Sequence, residues 1–314
     1  MSAEHIIEHP GGLAAEDAAV IENVLNYYLS CNEELKEVLR RHAADPLQRM
    51  AGIGFLTRKL LGPLTKAVVT ATAEGLFASD PEDYGVGWEL RENGAFGTAQ
   101  LETYSALLPP AAKVLVIGAH IGTLAIPLSH RCAYVAAIEA NPDTYSLLEM
   151  NVRLNNVQNC DTFHIAANDK AEALPFLLSR ANSGGSKRRP QHSRSEYDYD
   201  DPEEITVTGI PLDDFFTRRD FDLILMDIEG SEYFALKGMQ DILQHARTLV
   251  TEFLPHHLRH VSAVGVDELL AQIPDFRTLT VPSLQRQVTA AEFAPLLHYM
   301  YDNNLGDEGI IFER

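Results

Sequence analysis

The stretch KVLVIGAHIGTLAIPLSHRCAYVAAIEA, residues 113–140, decides the fold. KVLVIG is a short apolar run of the kind that forms a strand buried on both faces. AHIGTLAIPLSHR is a glycine turn entering a helix, and AYVAAIEA is a second buried run. Strand, helix and strand in this rhythm give a parallel pair, because the chain must cross the sheet to return in the same direction. The pattern continues downstream. NPDTYSLLEMNVRLNN reads as a helix with Pro142 just inside its start, CDTFHIAA as a third strand, and FDLILMDIEG and TLVTEFLP as two more, each ending in acid. EGIIFER reads as a last edge strand. The fold class is α/β, a doubly wound, mostly parallel sheet.

Upstream the grammar differs. From about Ala14 to Ala78 the pattern is helical: Ile21, Val24, Leu25 and Leu29 keep the i, i+3, i+4 spacing, Asn32 caps EELKEVLRRH, and Pro46 opens a further helix. Residues 1–91 are therefore expected to form a helical extension, used either as a cap over a pocket or as an arm for homo-oligomerisation. Residues 92–314 form the Rossmann-like domain. Within it, residues 181–204 carry a basic cluster at Lys187, Arg188 and Arg189 and an acidic run from Asp198 to Glu204. Blocky charge with few apolar residues predicts a flexible surface insertion.

Composition narrows the function. The 314 residues carry 25 Lys+Arg against 45 Asp+Glu, a net charge of −20, which argues against nucleic acid and anionic membranes as partners. Three cysteines, Cys31, Cys132 and Cys160, form no metal or disulfide pattern and fit a reducing, cytoplasmic setting. No signal peptide is visible, and the apolar stretch Leu56–Ala78 is broken by Arg58, Lys59, Lys66 and Glu74.

Three motifs carry chemistry. In VLVIGAHIG, Gly118 and Gly122 let the backbone turn sharply and let a ligand lie against bare main chain. Glu139, ending the next strand, is placed to take two ribose hydroxyls. The G-x-x-x-G spacing lacks the third glycine of a pyrophosphate-binding turn, which favours an adenosyl cofactor without phosphates over NAD. In LMDIEGSE, Asp227, Glu229 and Glu232 crowd the C-terminal end of a buried strand, where open α/β sheets bind ligands. In TEFLPHHLRH, Glu252 ends the adjacent strand, and His256 and His260 sit i, i+4 as a general-base or metal pair. Which metal, if any, is left open; the oxygen ligands Asp227 and Glu252 suit Mg²⁺ better than Zn²⁺.

VIGAHIG, AIEANP, AAND, IPLDDFF and MDIEGSEYFALKG, in this order over about residues 92–255, resemble the FkbM family of S-adenosylmethionine-dependent methyltransferases. The segment GAFGTAQLETY is a matching entry to the domain. The resemblance implies a class I, Rossmann-like methyltransferase that methylates a hydroxyl of a sugar, natural product or other small molecule. It implies that Gly118, Ala119, His120 and Gly122 line the methionine and ribose part of the cofactor. Glu139 would grip the ribose diol, Ala140, Asn141, Ala167 and Asn168 would edge the adenine, and Asp227 would sit near the transferable methyl. Val116 and His120 stand where the family usually has Asp and Asn, and Leu225 where it usually has Lys. Asp227 is the first candidate base and His256 the second. An N- or carboxyl-methyltransferase acting on a peptide, and a non-catalytic cofactor-binding scaffold, are the alternative readings.

Overall fold

The computed structural model describes residues 46–314 and, upstream, Ala19, Asn23 and Asn26, which are helical. The rest of the helical reading before Pro46, including the Asn32 cap, lies outside the described residues. Helix α1 (Pro46–Leu61) forms as expected. The helical reading fails after it, because Val68–Thr72 (β1) and Gly75–Ser79 (β2) pair as an antiparallel hairpin. Val68, Val69, Thr70 and Thr72 are β-branched, and Gly75, at φ 134°, closes the turn. Helices α2 (Val86–Asn93) and α3 (Thr98–Ala106) lead into β3 (Lys113–Ile117).

The domain then alternates as its sequence predicts. β3 is followed by α4 (Ala125–Ser129), β4 (Tyr134–Glu139), α5 (Pro142–Leu154) and β5 (Cys160–His164). β6 (Ala166–Ala167), β7 (Glu172–Leu178), β8 (Lys187–Arg188) and β9 (Glu203–Ile210) leave the main sheet and build a small one of their own, in the order β6-β9-β7-β8. After α6 (Leu212–Phe215), β10 (Leu223–Met226) returns to the main sheet. Helices α7 (Glu232–Lys237) and α8 (Gln240–His245) lead to β11 (Thr248–Phe253), and α9 (Pro255–His257) runs into a π-helical turn at Leu258–Ser262. Helix α10 (Val266–Leu270), β12 (Thr278–Val281), β13 (Arg286–Thr289), α11 (Phe293–Asp302) and β14 (Asp307–Glu313) complete the chain.

The main sheet runs β13-β12-β14-β11-β10-β3-β4-β5, with β5, β4, β3, β10 and β11 mutually parallel. Alternate residues of each strand feed two cores. Leu115, Ile117, Ile138, Ile224 and Met226 face one layer of helices, while Val114, Val116, Val135, Leu223 and Leu225 face the other. β14 is antiparallel and lies between β11 and β12, so EGIIFER is an interior strand, not an edge. Its Ile310, Ile311 and Phe312 are all buried, and only two covered faces can bury such a continuous apolar run.

The hairpin is tied to the domain by polar side chains. Asn151 and Asn155, one turn apart on α5, face the backbone of β2. Asn151 Nδ2 donates to Ala78 O at 3.0 Å while its Oδ1 accepts from Ala78 N at 2.7 Å, and Asn155 does the same for Leu76. This satisfies an edge that would otherwise offer open backbone groups.

Residues 181–204 are folded back onto the domain, contrary to the loop read from their charge. β8 pairs with β7, Arg189 N donates to Pro175 O, and His192 N donates to His260 O. Two of the charges that suggested solvent, Lys187 and Asp200, are buried, as is Tyr197, while Arg189, Asp198, Asp201, Glu203 and Glu204 stay exposed.

Candidate active site

The sheet reverses its winding between β3 and β10, and there the crevice opens. Val116 pairs with Leu225 and Ile117 with Met226, so Gly118 and Asp227 leave the two strands side by side. Gly118 has φ 86°, and a Cβ on it would stand 1.8 Å from Asp227 O, so only glycine fits. Gly118 N and Ala119 N both donate to Ile138 O, which fastens the turn to β4.

Glu139 ends β4 as expected and is held from two sides. Its Oε2 accepts from His120 N at 2.8 Å and its Oε1 from Asn141 N at 2.8 Å. Both oxygens are thus held by backbone amides, which set the orientation of the carboxylate at the crevice. His120 adopts φ 50°, and its Nε2 lies 2.7 Å from Ser183 Oγ. Beyond Glu139, Ile138, Ala140, Ile165, Ala167, Leu174 and Phe176 form an apolar slot covered by Ser183, Ser186 and Arg188.

On the other side of Gly118 lies a cavity of about 370 Å³. Asp227 and Glu252 form its floor, Tyr104, Gln100 and Phe96 its wall, and Glu308 its far rim. Asp227 reaches solvent through this opening yet lies deep among protein atoms. Lost hydration, then Glu229, Glu232 and Glu308, hold its carboxyl well above the usual range, with Lys187 opposing. Glu252 is pushed the same way by burial and by Asp227, Glu229 and Glu232. The pairing of β11 with β14 is irregular between Thr251 and Phe253, and this break in the ladder falls on Glu252.

Behind the floor runs a chain of paired groups. Lys187 Nζ donates to Glu229 Oε2 at 2.8 Å, His257 Nε2 lies 3.4 Å from the same oxygen, and His257 Nδ1 lies 3.2 Å from Glu252 Oε2. Burial pushes the His257 imidazole down to about 2, so the ring is neutral. A neutral ring can donate to only one of the two carboxyls, and burial beside Asp227, Glu229 and Glu232 favours the protonated form of Glu252. Glu232 is structural. As the first residue of α7, it folds its Oε1 back onto Ile228 N and Gly230 N.

The expected site residues divide in two. Gly118, Ala119, His120, Glu139, Ala140, Ala167 and Asp227 line the crevice. Gly122, Asn141 and Asn168 stand behind it: Gly122 packs on Ile126 and Leu148, Asn141 caps α5 through Asp143 N, and Asn168 accepts from Arg188. His256 is corrected. Its ring packs against His257 at 4.2 Å between centroids, it lines neither part of the crevice, and His257 is the imidazole that meets the carboxyls. His260 contacts Arg194 and forms no pair with His256. The slot residues Leu174 and Phe176 were missed, although their i, i+2 spacing with Leu178 is a period-2 signal.

Among the described residues, Asp227, Glu229 and Glu252 bring carboxyl oxygens within 4.8 Å of one another. Two of the three are already engaged, Glu229 by the Lys187 ammonium and Glu252 by His257. The cluster thus has a built-in cation and fits an added Mg²⁺ poorly.

A glycine turn at the switch point, an acid ending the neighbouring strand and an acid under the turn sit on the fold of a class I, Rossmann-like methyltransferase. The chain belongs to the FkbM methyltransferase family: the methyltransferase FkbM domain matches residues 117–278. No curated protein matches it in sequence. Solved structures similar to it include Trm5b from Pyrococcus abyssi, with TM-score 0.42 and 11% identity over 80% of this chain and 57% of that one. The Pyrococcus abyssi tRNA (uracil-54, C5)-methyltransferase has TM-score 0.40 and 13% identity over 68% of this chain and 39% of that one. TYW2 from M. jannaschii has TM-score 0.36 and 13% identity over 79% and 87%. The chain thus spans about half the length, or less, of the first two. No described helix is long and apolar enough to cross a membrane.

Proposed function

We propose that this protein methylates a hydroxyl of a small molecule, with Asp227 as the base. The observation that supports it is the placement of Gly118, Glu139 and Asp227 around one crevice, with the 370 Å³ cavity on the Asp227 side. The residues present suit the cofactor chemically: a pre-oriented carboxylate for the ribose diol, an apolar slot for the adenine, and a glycine turn that exposes main chain between them. When bound, the cofactor supplies a methyl group on a positively charged sulfur, which leaves as a neutral thioether.

The chain's own work is alignment and proton transfer. An acceptor in the cavity lies between the Tyr104 wall and the floor, with its oxygen aimed past Gly118; such alignment supplies a large share of the rate. A hydroxyl is a weak nucleophile at neutral pH, so its proton has to leave as the O–CH₃ bond forms. Asp227 Oδ takes that proton. Its raised carboxyl makes it a stronger base than an ordinary aspartate, and no described side chain bonds to it to hold it back.

Calorimetry against S-adenosylmethionine and against NAD tests the donor. Micromolar binding of the methyl donor, about −8 kcal/mol, is expected, with no heat from NAD. Transfer of labelled methyl to hydroxylated small molecules tests the reaction. Binding of NAD alone, or transfer only to peptide amines or carboxyls, would overturn the reading.

A further inference from the structure

Tyr104 carries a hydroxyl that the fold leaves unused. It stands in the last turn of α3, is only 6% exposed, and lines the cavity on the Asp227 side. Its oxygen makes no hydrogen bond among the described residues. That oxygen is not sealed in, and the opening it meets is the cavity. β14 makes room for it: a Cβ on Gly309 would stand 2.4 Å from Tyr104 Oη and would have to displace the ring. The hydroxyl is thus held at a fixed point of the wall. Leaving a buried hydroxyl without a partner is costly, and a buried tyrosine usually finds one.

The polar groups nearby are already engaged. Gln100 Nε2 donates to Glu308 at 2.9 Å, Lys187 holds Glu229, and His257 Nδ1 lies 3.2 Å from Glu252. Thr123, the other buried hydroxyl of the lining, follows the glycine turn, on the donor's half of the crevice. Burial, then Asp227, Asp307 and Glu308, push the ionisation of Tyr104 far up, so the phenol keeps its proton and can donate it in a hydrogen bond. One cavity therefore presents a donor, Tyr104 Oη, and an acceptor, the Asp227 carboxylate. If both met the reacting oxygen, the Tyr104 donor would draw off the electron pair that attacks the methyl. The donor belongs to a different oxygen. Tyr104 lies near enough to Asp227 to feel its charge, so the two oxygens are close neighbours in the bound molecule.

Resting on the methyl-transfer reading, we propose that Tyr104 is a specificity-determining residue, whose hydroxyl donates to a second, uncharged oxygen beside the one that Asp227 deprotonates. The acceptor is then a diol or a hydroxyketone, and an isolated alcohol is a poor one. Tyr104 requires only a lone pair, so a carbonyl oxygen serves it as well as a hydroxyl does.

The test uses the full chain saturated with S-adenosylhomocysteine and three probes on one ring: cyclohexanol, its vicinal diol and the matching α-hydroxyketone. In ligand-observed NMR titrations the diol and the hydroxyketone are expected to bind at least about fivefold tighter than cyclohexanol, the gain of one hydrogen bond. In Tyr104→Phe all three should bind within about twofold of one another, because the ring stays and only the donor is lost. Cyclohexanol affinity and the melting temperature should stay near their wild-type values. A purely structural role would weaken all three probes together. That result, equal binding of the three by the wild type, a preference that survives in Tyr104→Phe, or binding of none would overturn the proposal. Failure to bind S-adenosylhomocysteine in the first step would instead refute the methyl-transfer reading.

Discussion

Lys187 Nζ donates to Glu229 Oε2 at 2.8 Å from a side chain only 8% exposed, with the Tyr197 ring 5.2 Å away. This pair joins the charged insertion to the floor of the active site. Removing the ammonium leaves Glu229 beside Asp227 and Glu252 with no cation. We therefore expect Lys187→Met to lose about 3 kcal/mol in urea unfolding, the lower end for breaking a buried pair. A loss below about 1 kcal/mol would mean that water screens the pair.

The apolar slot beside Glu139, the proposed seat of the adenine, is only about 60 Å³ with Ser183–Arg188 in place, smaller than the pockets that hold ligands of nucleoside size. Across the slot that segment is held by Ser183 to His120, Asn141 Nδ2 to Ser186 Oγ at 3.2 Å, and Arg188 to Asn168, while its end is anchored by the Lys187–Glu229 pair and the β8–β7 pairing. Cofactor entry therefore has to shift it. Stopped-flow binding of S-adenosylmethionine should show a rate that saturates with donor concentration. A rate linear throughout would mean that the slot opens without a separate step.

Glu139→Ala should weaken donor binding by roughly 1–3 kcal/mol, the cost of losing charged hydrogen bonds to a diol. Calorimetry reads this directly. The backbone amides of His120 and Asn141 lose their acceptor in the same variant, so a small fall in melting temperature accompanies it. Unchanged affinity would place the ribose elsewhere.

What the sequence made legible is what local pattern encodes. Strands β3, β4, β10 and β11 are apolar on both faces, and Gly118, Glu139 and Asp227 fall at their ends, so the crevice could be placed from spacing. The hairpin at 68–79 was hidden by its helical surroundings, and its stability comes from Asn151 and Asn155, more than 70 residues away in sequence. The position of β14 between two strands depends on the completed sheet. Lys187 looked solvated because its partner, Glu229, lies 42 positions on. His256 and His257 differ by one residue, and only the path from α9 into the π-turn decides which ring faces Glu252.

Glu232 gives a pH test. Burial pushes its carboxyl up to about 7 from the ordinary 4.5. A raised acid holds its proton longer in the folded state than in the unfolded one, so ionisation destabilises the fold. Stability should be highest below about pH 4.5 as far as this group is concerned, and should fall as pH rises to about 7. Glu232→Gln keeps an oxygen to accept from Ile228 N and Gly230 N but cannot ionise. It should flatten that decline and gain more than about 1 kcal/mol at pH 8 relative to pH 5. A parallel decline in wild type and variant would assign the slope to Asp227 and Glu252 instead.

The last expectation concerns Asp227, which Gly118 adjoins on one side and the cavity on the other. Asp227→Asn keeps the shape and removes the charge, so packing should change little. If the carboxylate takes the acceptor's proton, kcat should fall by about 10²–10⁴ while donor affinity stays within a few-fold. The wild-type rate should rise with pH through a range above the usual carboxylate one, because only the ionised form accepts a proton and burial with Glu229, Glu232 and Glu308 delays ionisation. That limb should vanish in the variant. Chelation should leave the wild type active, since Lys187 already stands against Glu229 where a cation would bind. Chelator-sensitive turnover restored by Mg²⁺ would instead give Asp227 and Glu252 to a metal, and near-normal turnover of Asp227→Asn would remove Asp227 from the reaction.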